Sequence, residues 1–238
     1  MGSRIASLAL QDSIFSIAGA IESKEHQAMG QDLGSLLNLK AIGVRVNDDA
    51  NTVISAGDVL IEFTRPEATV DHVRLAAQLK KPAVIGTTGL SEAQYRAIAE
   101  AAKTIPIVLS PNMSVGVNLL FELVRTASQR LGLTYDVEVI EAHHHAKLDT
   151  PSGTAKRLAE LLAAQRQQPL EHIPVHATRT GDIVGDHTVV FAGPSERLEL
   201  THRAHSRDAF ALGALQAARF LAGKPPAKLY DMRDVLNP

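Results

Sequence analysis

Residues 82–114, PAVIGTTGLSEAQYRAIAEAAKTIPIVLSPNMS, decide the fold class. Two short and continuous apolar runs, Pro82 to Ile85 and Ile105 to Leu109, stand on either side of a helix-like stretch. Ser91 and Gln94 have the spacing of a capping box at the start of that stretch. Apolar strands alternating with helices are typical of a parallel sheet covered on both faces. This half of the chain is therefore predicted to be a Rossmann-like α/β domain.

The same alternation extends toward the N-terminus. Ser16 to Ile21 and residues 58–63 (DVLIEF) predict two more strands, and Thr64 with Glu67 suggests a second capping box. Ligands bind beyond the carboxyl ends of the strands in open α/β sheets, so we expect these ends to form one binding rim. The rim residues are Phe63, Thr64, Arg65, Gly86, Thr87, Thr88, Ser110, Pro111, Asn112 and Met113.

Glu22 follows the first predicted strand. Dinucleotide folds place an acid at this point, where it holds the hydroxyl groups of the adenosine ribose. A single glutamate at the end of a strand is also common without any such role. Both interpretations stay open from the residues alone.

The second half of the chain has a different pattern. Residues 135–141, 175–179, 187–192 and 197–204 alternate apolar and polar side chains, as in a largely antiparallel sheet with one wet face. We predict an α+β domain at 114–207 for substrate binding and oligomerisation. A dinucleotide-binding domain would then consist of 1–113 and 208–238.

Composition excludes several classes of function. The chain has 238 residues, 45% of them hydrophobic, and a formal net charge of −2, so nucleic acid is not expected as a main partner. It has no cysteine, which excludes disulfides and thiolate metal sites. No apolar run reaches the ~18–20 residues that span a bilayer, and no signal peptide is evident. We expect a cytoplasmic protein without a membrane partner.

The stretch 141–154, EAHHHAKLDTPSGT, carries the chemistry. Histidine titrates near neutral pH, so His143, His144 and His145 suggest proton transfer or anion binding. A polar loop and a metal site are the alternatives, and adjacent histidines converge poorly on a metal ion. Lys147 is either an ordinary surface lysine or an anchor for a carboxylate.

The end of this stretch predicts the start of a helix. Thr150 is the candidate N-cap, with Pro151 at the first helical position. The backbone N–H groups at Gly153 and the hydroxyl of Thr154 could hold an anion such as a carboxylate. Ordinary helix capping explains the same residues without a ligand.

Taken together, the motifs resemble one known family. EAHHHAKLDTPSGTA looks like the signature of the 4-hydroxy-tetrahydrodipicolinate reductases, also called dihydrodipicolinate reductases. The segments DVLIEFTRPE, VIGTTGL, SPNMSVGVN, GDIVGDHTVVFAG and YDMRDVL agree in order, so the resemblance covers nearly the whole chain. It implies reduction of a cyclic dicarboxylate by NADH or NADPH in the diaminopimelate route to lysine. It also implies a homotetramer and no metal.

The resemblance assigns roles to individual residues. It makes His143 the proton donor and acceptor, Lys147 the second catalytic residue, and His144 a substrate contact. Gly153 and Thr154 would bind one carboxylate of the substrate. The expected cofactor-binding residues are Glu22, Phe63, Arg65, Gly86, Thr87, Thr88, Ser110, Pro111, Asn112 and Met113.

The N-terminus departs from the family pattern. The family opens with a strand and a G-x-x-G-R-M-G turn, whereas residues 1–5 (MGSRI) match only the tail of that turn. We therefore expect weak cofactor binding by this chain. Ser23 follows Glu22 where a cation is frequent, which slightly favours NADH over NADPH. Two alternatives remain open: another two-domain imine or amino-acid dehydrogenase, and a cofactor-deficient, non-catalytic form of the reductase.

Overall fold

The computed structural model describes residues 1–226 and 228–237. It divides the chain into two compact units. Unit 1 comprises Met1–Met113 and Phe210–Pro238, and unit 2 comprises Ser114–Ala209.

Helices and strands follow one another along the chain in the order that an α/β unit with an inserted second unit requires. The helices are α1 (Gly2–Ala9), α2 (Leu33–Leu36), α3 (Ala50–Ala56), α4 (Pro66–Gln78), α5 (Glu92–Ala101), α6 (Val115–Leu131), α7 (Gly153–Arg166), α8 (Asp208–Leu221) and α9 (Met232–Leu236). The strands are β1 (Ala20–Ile21), β2 (Val46–Asn47), β3 (Leu60–Glu62), β4 (Ala83–Ile85), β5 (Ile107–Leu109), β6 (Asp136–His143), β7 (Val175–Arg179), β8 (Asp186–Ala192), β9 (Arg197–Arg203) and β10 (Leu229–Tyr230).

Unit 1 contains the predicted parallel strands β1, β3, β4 and β5, together with β2 and β10. They form a four-stranded sheet of order β10-β5-β4-β3 and a two-stranded sheet of β1 and β2, all of them parallel. Ile85 and Ile107 are fully buried in the larger sheet, and they share a core with Ile98 of α5 and Ala76 of α4. The α/β fold class is confirmed.

The strand predicted from Ser16 to Ile21 was too long. Strand structure is limited to Ala20–Ile21, which pairs with Val46–Asn47. A partner strand of only two residues cannot hold a longer segment in register. The two-residue strands β2 and β10 were not predicted at all.

Of the two capping boxes predicted in unit 1, one is present in the structure and the other is not. The capping box of Ser91 and Gln94 is confirmed, with both reciprocal hydrogen bonds present. The predicted box at Thr64 was wrong, because α4 begins at Pro66 and Arg65 is its N-cap residue, without a side-chain cap. Proline at the first helical position has no N–H to satisfy and a φ angle already suited to a helix.

Unit 2 has a mixed sheet of order β7-β6-β8-β9. Strands β6, β8 and β9 are antiparallel, as predicted, whereas β7 runs parallel to β6. Helices α6 and α7 cover one face of this sheet, and Leu158, Leu162 and Phe191 are buried in the shared core. Ser114 caps α6, its side chain accepting a hydrogen bond from the backbone N–H of Val117.

None of the helices in the described part of the chain combines the length and apolarity needed to cross a membrane.

Candidate active site

Strand β6 carries polar residues on the covered face of its sheet. Burial alternates along the strand, and the odd-numbered residues from 137 to 143 are buried. Side chains two residues apart in a strand point to the same face, so Glu141 and His143 lie side by side. Of the three adjacent histidines, His143 ends the strand and is only 7% exposed, while His144 and His145 lie beyond it.

Glu141 fixes the protonation pattern of His143. The Nδ1 atom of His143 is hydrogen-bonded to Oε2 of Glu141. An ionised carboxylate only accepts hydrogen bonds, so Nδ1 carries the hydrogen and Nε2 is the atom left for chemistry. A Cβ atom on Gly185 would lie 3.0 Å from this Nε2, so the glycine keeps a side chain away from it.

The ring of His143 is neutral near pH 7. Burial lowers the pKa of His143 below its usual value and outweighs the opposing effect of Glu141. A neutral imidazole can accept a proton at Nε2, and a bound anion near the ring offsets the effect of burial by favouring the protonated form.

Arg179 holds the carboxylate of Glu141 from the other side. Its Nη1 lies 2.9 Å from Oε2 and its Nη2 lies 2.7 Å from Oε1, the bidentate arrangement of a strong ion pair. The backbone N–H of Ser152 also donates to Oε1 at 3.2 Å. Burial alone would raise the pKa of Glu141, but these hydrogen bonds and that of His143 hold it below its usual value.

The loop after β6 is held to its neighbours through its backbone. His144 N–H donates to the carbonyl of Ile183, and Arg179 Nη2 donates to the carbonyl of Asp149 at 2.6 Å. Within the loop, Lys147 Nζ lies 2.6 Å from Asp149 Oδ1. This ion pair holds the pKa of Asp149 below its usual value. Lys147 is thus placed in the loop that follows His143.

Helix α7 begins two residues later than predicted. Ser152, not Thr150, is the N-cap residue, and its side chain accepts a hydrogen bond from the backbone N–H of Ala155. Pro151 therefore precedes the helix instead of occupying its first position. Gly153 is exposed, and a Cβ atom added there would meet no atom within 4 Å. The N–H groups of the first turn thus remain approachable at Gly153 and Thr154.

His187 of β8 completes the cluster. Its Nε2 lies 3.2 Å from Oγ of Ser152, and its ring meets the ring of His143 edge to face at a centroid distance of 5.1 Å. Burial lowers the pKa of His187 to about 3, so this ring is neutral across the physiological range.

In unit 1, most of the predicted cofactor residues follow strands of one sheet. Phe63 and Arg65 come after β3, Gly86 directly follows β4, and the segment 110–113 follows β5. The ring of Phe63 lies against Gly86, where an added Cβ atom would be 2.1 Å from the ring. Since β3, β4 and β5 are parallel neighbours, their carboxyl ends share one edge of the sheet.

The residues of this edge differ in accessibility. Thr88 and Pro111 are exposed, and Phe63 and Asn112 are half-buried. Arg65 is exposed as well. Thr87, Ser110 and Met113 are buried: the hydroxyl of Thr87 lies 2.7 Å from that of Thr69, Ser110 Oγ donates to the carbonyl of Asn112, and Met113 is 1% exposed. Glu22 follows β1, which belongs to the two-stranded sheet.

Sequence reasoning missed Glu141, Arg179, Ser152 and His187 as members of the site. Glu141 precedes His143 by two residues, but the predicted strand ended at residue 141, and only the observed extension of β6 to His143 places the two side chains on one face. Arg179 gives no local signal, since only the register of β7 on β6 places it opposite His143. Among the described residues, no group of three or more His, Asp or Glu side chains could hold a metal ion.

A Rossmann-like α/β unit with exposed residues at one sheet edge, and a second unit with a buried, hydrogen-bonded His143–Glu141 pair, are the parts of a two-domain, nicotinamide-dependent oxidoreductase. The family comparison gives a more specific result. The model described as "Dihydrodipicolinate reductase, N-terminus" matches residues 1–113, and that described as "Dihydrodipicolinate reductase, C-terminus" matches residues 116–236. The chain belongs to the dihydrodipicolinate reductase family.

Individual proteins agree with this assignment. A 4-hydroxy-tetrahydrodipicolinate reductase of Syntrophus aciditrophicus is 43% identical, with all of this chain and 94% of the relative covered. One of Aromatoleum aromaticum is 45% identical, with all of this chain and 91% of the relative covered. The structure of a dipicolinate-bound dihydrodipicolinate reductase from Paenisporosarcina sp. TG-14 superimposes with a TM-score of 0.81 at 23% identity, over 97% of this chain and 92% of that one.

Proposed function

We propose that this protein reduces 4-hydroxy-tetrahydrodipicolinate to tetrahydrodipicolinate with a nicotinamide cofactor, in the diaminopimelate route to lysine. The observation that carries the proposal is the grouping in unit 2. A buried His143–Glu141 pair, Lys147 and the open helix start at Gly153 are held together by hydrogen bonds around one loop. These are groups suited to a twice-negative small molecule that must be protonated.

The chain's own residues divide this work. The N–H groups of the first turn of α7 and the hydroxyl of Thr154 bind one carboxylate, and the ammonium of Lys147 draws the substrate toward the loop. His144 contacts the substrate beside them. His143 holds or gives up a proton at Nε2, because its Nδ1 is committed to Glu141. Lys147 is the second group able to supply a proton.

The residues of unit 1 fit a nicotinamide dinucleotide. The edge at Phe63, Thr88, Pro111 and Asn112 combines an apolar ring with polar atoms, as a nicotinamide requires, and the Glu22 carboxylate suits a ribose. Arg65 extends the same edge. When bound, the reduced cofactor supplies the hydride, so the site needs neither metal nor thiol.

Turnover tests the proposal directly. The substrate is generated from aspartate semialdehyde and pyruvate, and the loss of reduced-nicotinamide absorbance is followed with the purified chain. We expect oxidation of the cofactor that depends on both the substrate and the chain. Oxidation with cyclic imines or amino-acid partners but not with this substrate would contradict the proposal and favour a different dehydrogenase.

Substitution of Gly153 separates binding from folding. Gly153→Ala places a methyl group in open space at the first position of α7, without a clash. We expect the free energy of unfolding to stay constant or rise by about 0.4–1 kcal/mol, because alanine restricts the unfolded chain. The affinity for pyridine-2,6-dicarboxylate should fall at least tenfold, since the methyl group occupies the carboxylate position. Unchanged affinity in calorimetry would place the anion elsewhere.

Cofactor choice follows from Glu22. Its carboxylate accepts a hydrogen bond from its own neighbour, Ser23 N–H, at 3.1 Å, and the side chain at 23 carries no positive charge. A 2′-phosphate would meet an uncompensated negative charge there, so we expect kcat/KM for NADH to exceed that for NADPH by about tenfold, which is about 1.4 kcal/mol. Glu22→Gln should narrow this ratio, with Glu25→Gln as the control. A preference for NADPH in the unsubstituted chain would be contrary to this assignment.

A homotetramer is part of the proposal. Ile140 is 43% exposed on the face of the unit 2 sheet that the helices leave uncovered, with Val190 and Thr188 on the same face. The same face also carries the charged side chains of Glu138, Glu199 and Arg197, and an exposed sheet face that combines apolar and charged groups supports pairing between copies. Analytical ultracentrifugation should give a molecular mass of about four times the 25.5 kDa of one chain. A monomer at micromolar concentration would contradict it.

A further inference from the structure

Glu141 is buried and Arg179 is half-buried, with 17% of its side chain exposed, and neither of these charged residues has a role assigned above. Glu141 is 1% exposed, and its side chain receives four hydrogen bonds, from His143, from Ser152 and two from Arg179. Burying a charged pair costs free energy that better packing of apolar residues would not. The position of this pair beside the proton-transfer histidine therefore suggests a use beyond stability.

The contacts of the pair reach three parts of the site. Glu141 contacts the ring of His143 and the first backbone N–H before α7. Arg179 contacts the carbonyl of Asp149, the residue that is paired with Lys147. One ion pair thus connects the histidine, the lysine-bearing loop and the helix start.

We infer that Glu141 and Arg179 are positioning residues. They hold His143 with its hydrogen on Nδ1, and they fix the position of its Nε2 relative to the Lys147 loop and the start of α7. This inference rests on the proposed function of the same site. Neither residue needs to touch the substrate. A free imidazole can carry its hydrogen on either nitrogen, and here the acceptor at Nδ1 decides which one is used.

The two residues have separable effects. Glu141→Gln keeps the shape but removes the charge, and the new amide can either donate to or accept from Nδ1. We expect kcat to fall at least tenfold, with little change in KM. Arg179→Lys keeps the charge but provides one compact ammonium, which cannot reach both oxygens of Glu141 and the carbonyl of Asp149. We expect a rise in KM as the loop loosens.

The pH profile distinguishes positioning from a general structural role. The charged or titratable groups facing His143 are Glu141 on β6, Arg179 on β7, Lys147 in the loop and His187 on β8. Glu141 favours the protonated ring, so its removal should move the loss of the proton-donor form to lower pH. The basic limb of kcat/KM is therefore expected to shift to lower pH in Glu141→Gln. Controls are Glu160→Gln and Arg157→Lys, an exposed pair on α7.

The tautomer itself can be measured without turnover. Nitrogen-15 NMR of histidine-labelled, unsubstituted protein at neutral pH should show His143 protonated at Nδ1, and Glu141→Gln should show a mixture. Hydrogen on Nε2 in the unsubstituted protein would overturn the inference, even if the variants failed to fold. Wild-type kcat and pH profile in a folded Glu141→Gln would overturn it too. Absence of turnover in the unsubstituted chain would instead count against the proposed function, and the NMR result would still decide the tautomer.

Discussion

Replacement of His143 by glutamine is expected to lower kcat by roughly 10²-fold or more, because a side chain that transfers a proton in the rate-determining step contributes about that factor. Glutamine can still donate a hydrogen bond to Glu141, so the loop and the helix start should keep their positions. KM and the affinity for pyridine-2,6-dicarboxylate should therefore change much less than kcat. Steady-state kinetics with the generated substrate and calorimetry with the analogue provide the two values.

His145→Gln is the matched control for this variant. It makes the same chemical change two residues further along, where Nδ1 of the exposed ring contacts the carbonyl of Gly181. It should retain kcat within about twofold of the unsubstituted chain, as expected for a surface position. Equal rates in the two variants would show that His143 does not transfer the proton and would point to Lys147.

Acid should destabilise unit 2 strongly through His187. The pKa of His187 is about 3 in the folded chain, against an unperturbed value of about 6.5 in the unfolded one. At pH 7 both states are neutral and no stability is lost. As the pH falls below 6.5, only the unfolded state binds a proton, so the free energy of unfolding falls by up to about 1.4 kcal/mol per pH unit. Between pH 6.5 and 3 the loss amounts to about 5 kcal/mol.

Urea unfolding at a series of pH values measures this loss. His187→Gln removes the titrating group. Between pH 6.5 and 5, the slope of the free energy of unfolding against pH should therefore be smaller in this variant, by up to about 1.4 kcal/mol per pH unit, the contribution of one proton. Some dependence should remain, because burial lowers the pKa of His143 and of His202 as well. His172→Gln, at an exposed position, should leave the slope unchanged. The same slope in His187→Gln and the unsubstituted chain would show that His187 takes up its proton in the folded state.

The local sequence pattern was sufficient to predict many of the strands and helices of unit 1. The strands at 83–85 and 107–109 lie inside continuous apolar runs, and the Ser91 box needs only side chains three residues apart. Strands β2 and β10 have two residues each, too few for a periodic pattern, and depend on their partners. At Thr64 the favourable cap residue was outweighed by Pro66, which occupies the first position of α4. At Thr150 a second good cap residue, Ser152, stands two positions later and accepts the hydrogen bond from Ala155 N–H that starts α7.

In the candidate site, too, some residues could be identified from local sequence and others depend on strand pairing. His143 and Lys147 could be predicted because they lie within one short segment of unusual composition. The role of Glu141 depends on a period of two in β6, which becomes meaningful once the strand is known to end at His143. Arg179 lies 38 residues from Glu141 in sequence, and only the pairing of β7 with β6 brings the two together.

Calorimetric titration with pyridine-2,6-dicarboxylate, in the presence of NADH, tests the central claim that the loop of unit 2 binds a twice-negative molecule. Pyridine-2-carboxylate, which lacks one carboxylate, serves as the comparison. We predict that the dicarboxylate binds at least tenfold more tightly, and that Lys147→Met and Gly153→Ala each abolish most of this difference. Equal affinity for the two ligands, or a difference that survives both substitutions, would contradict the account.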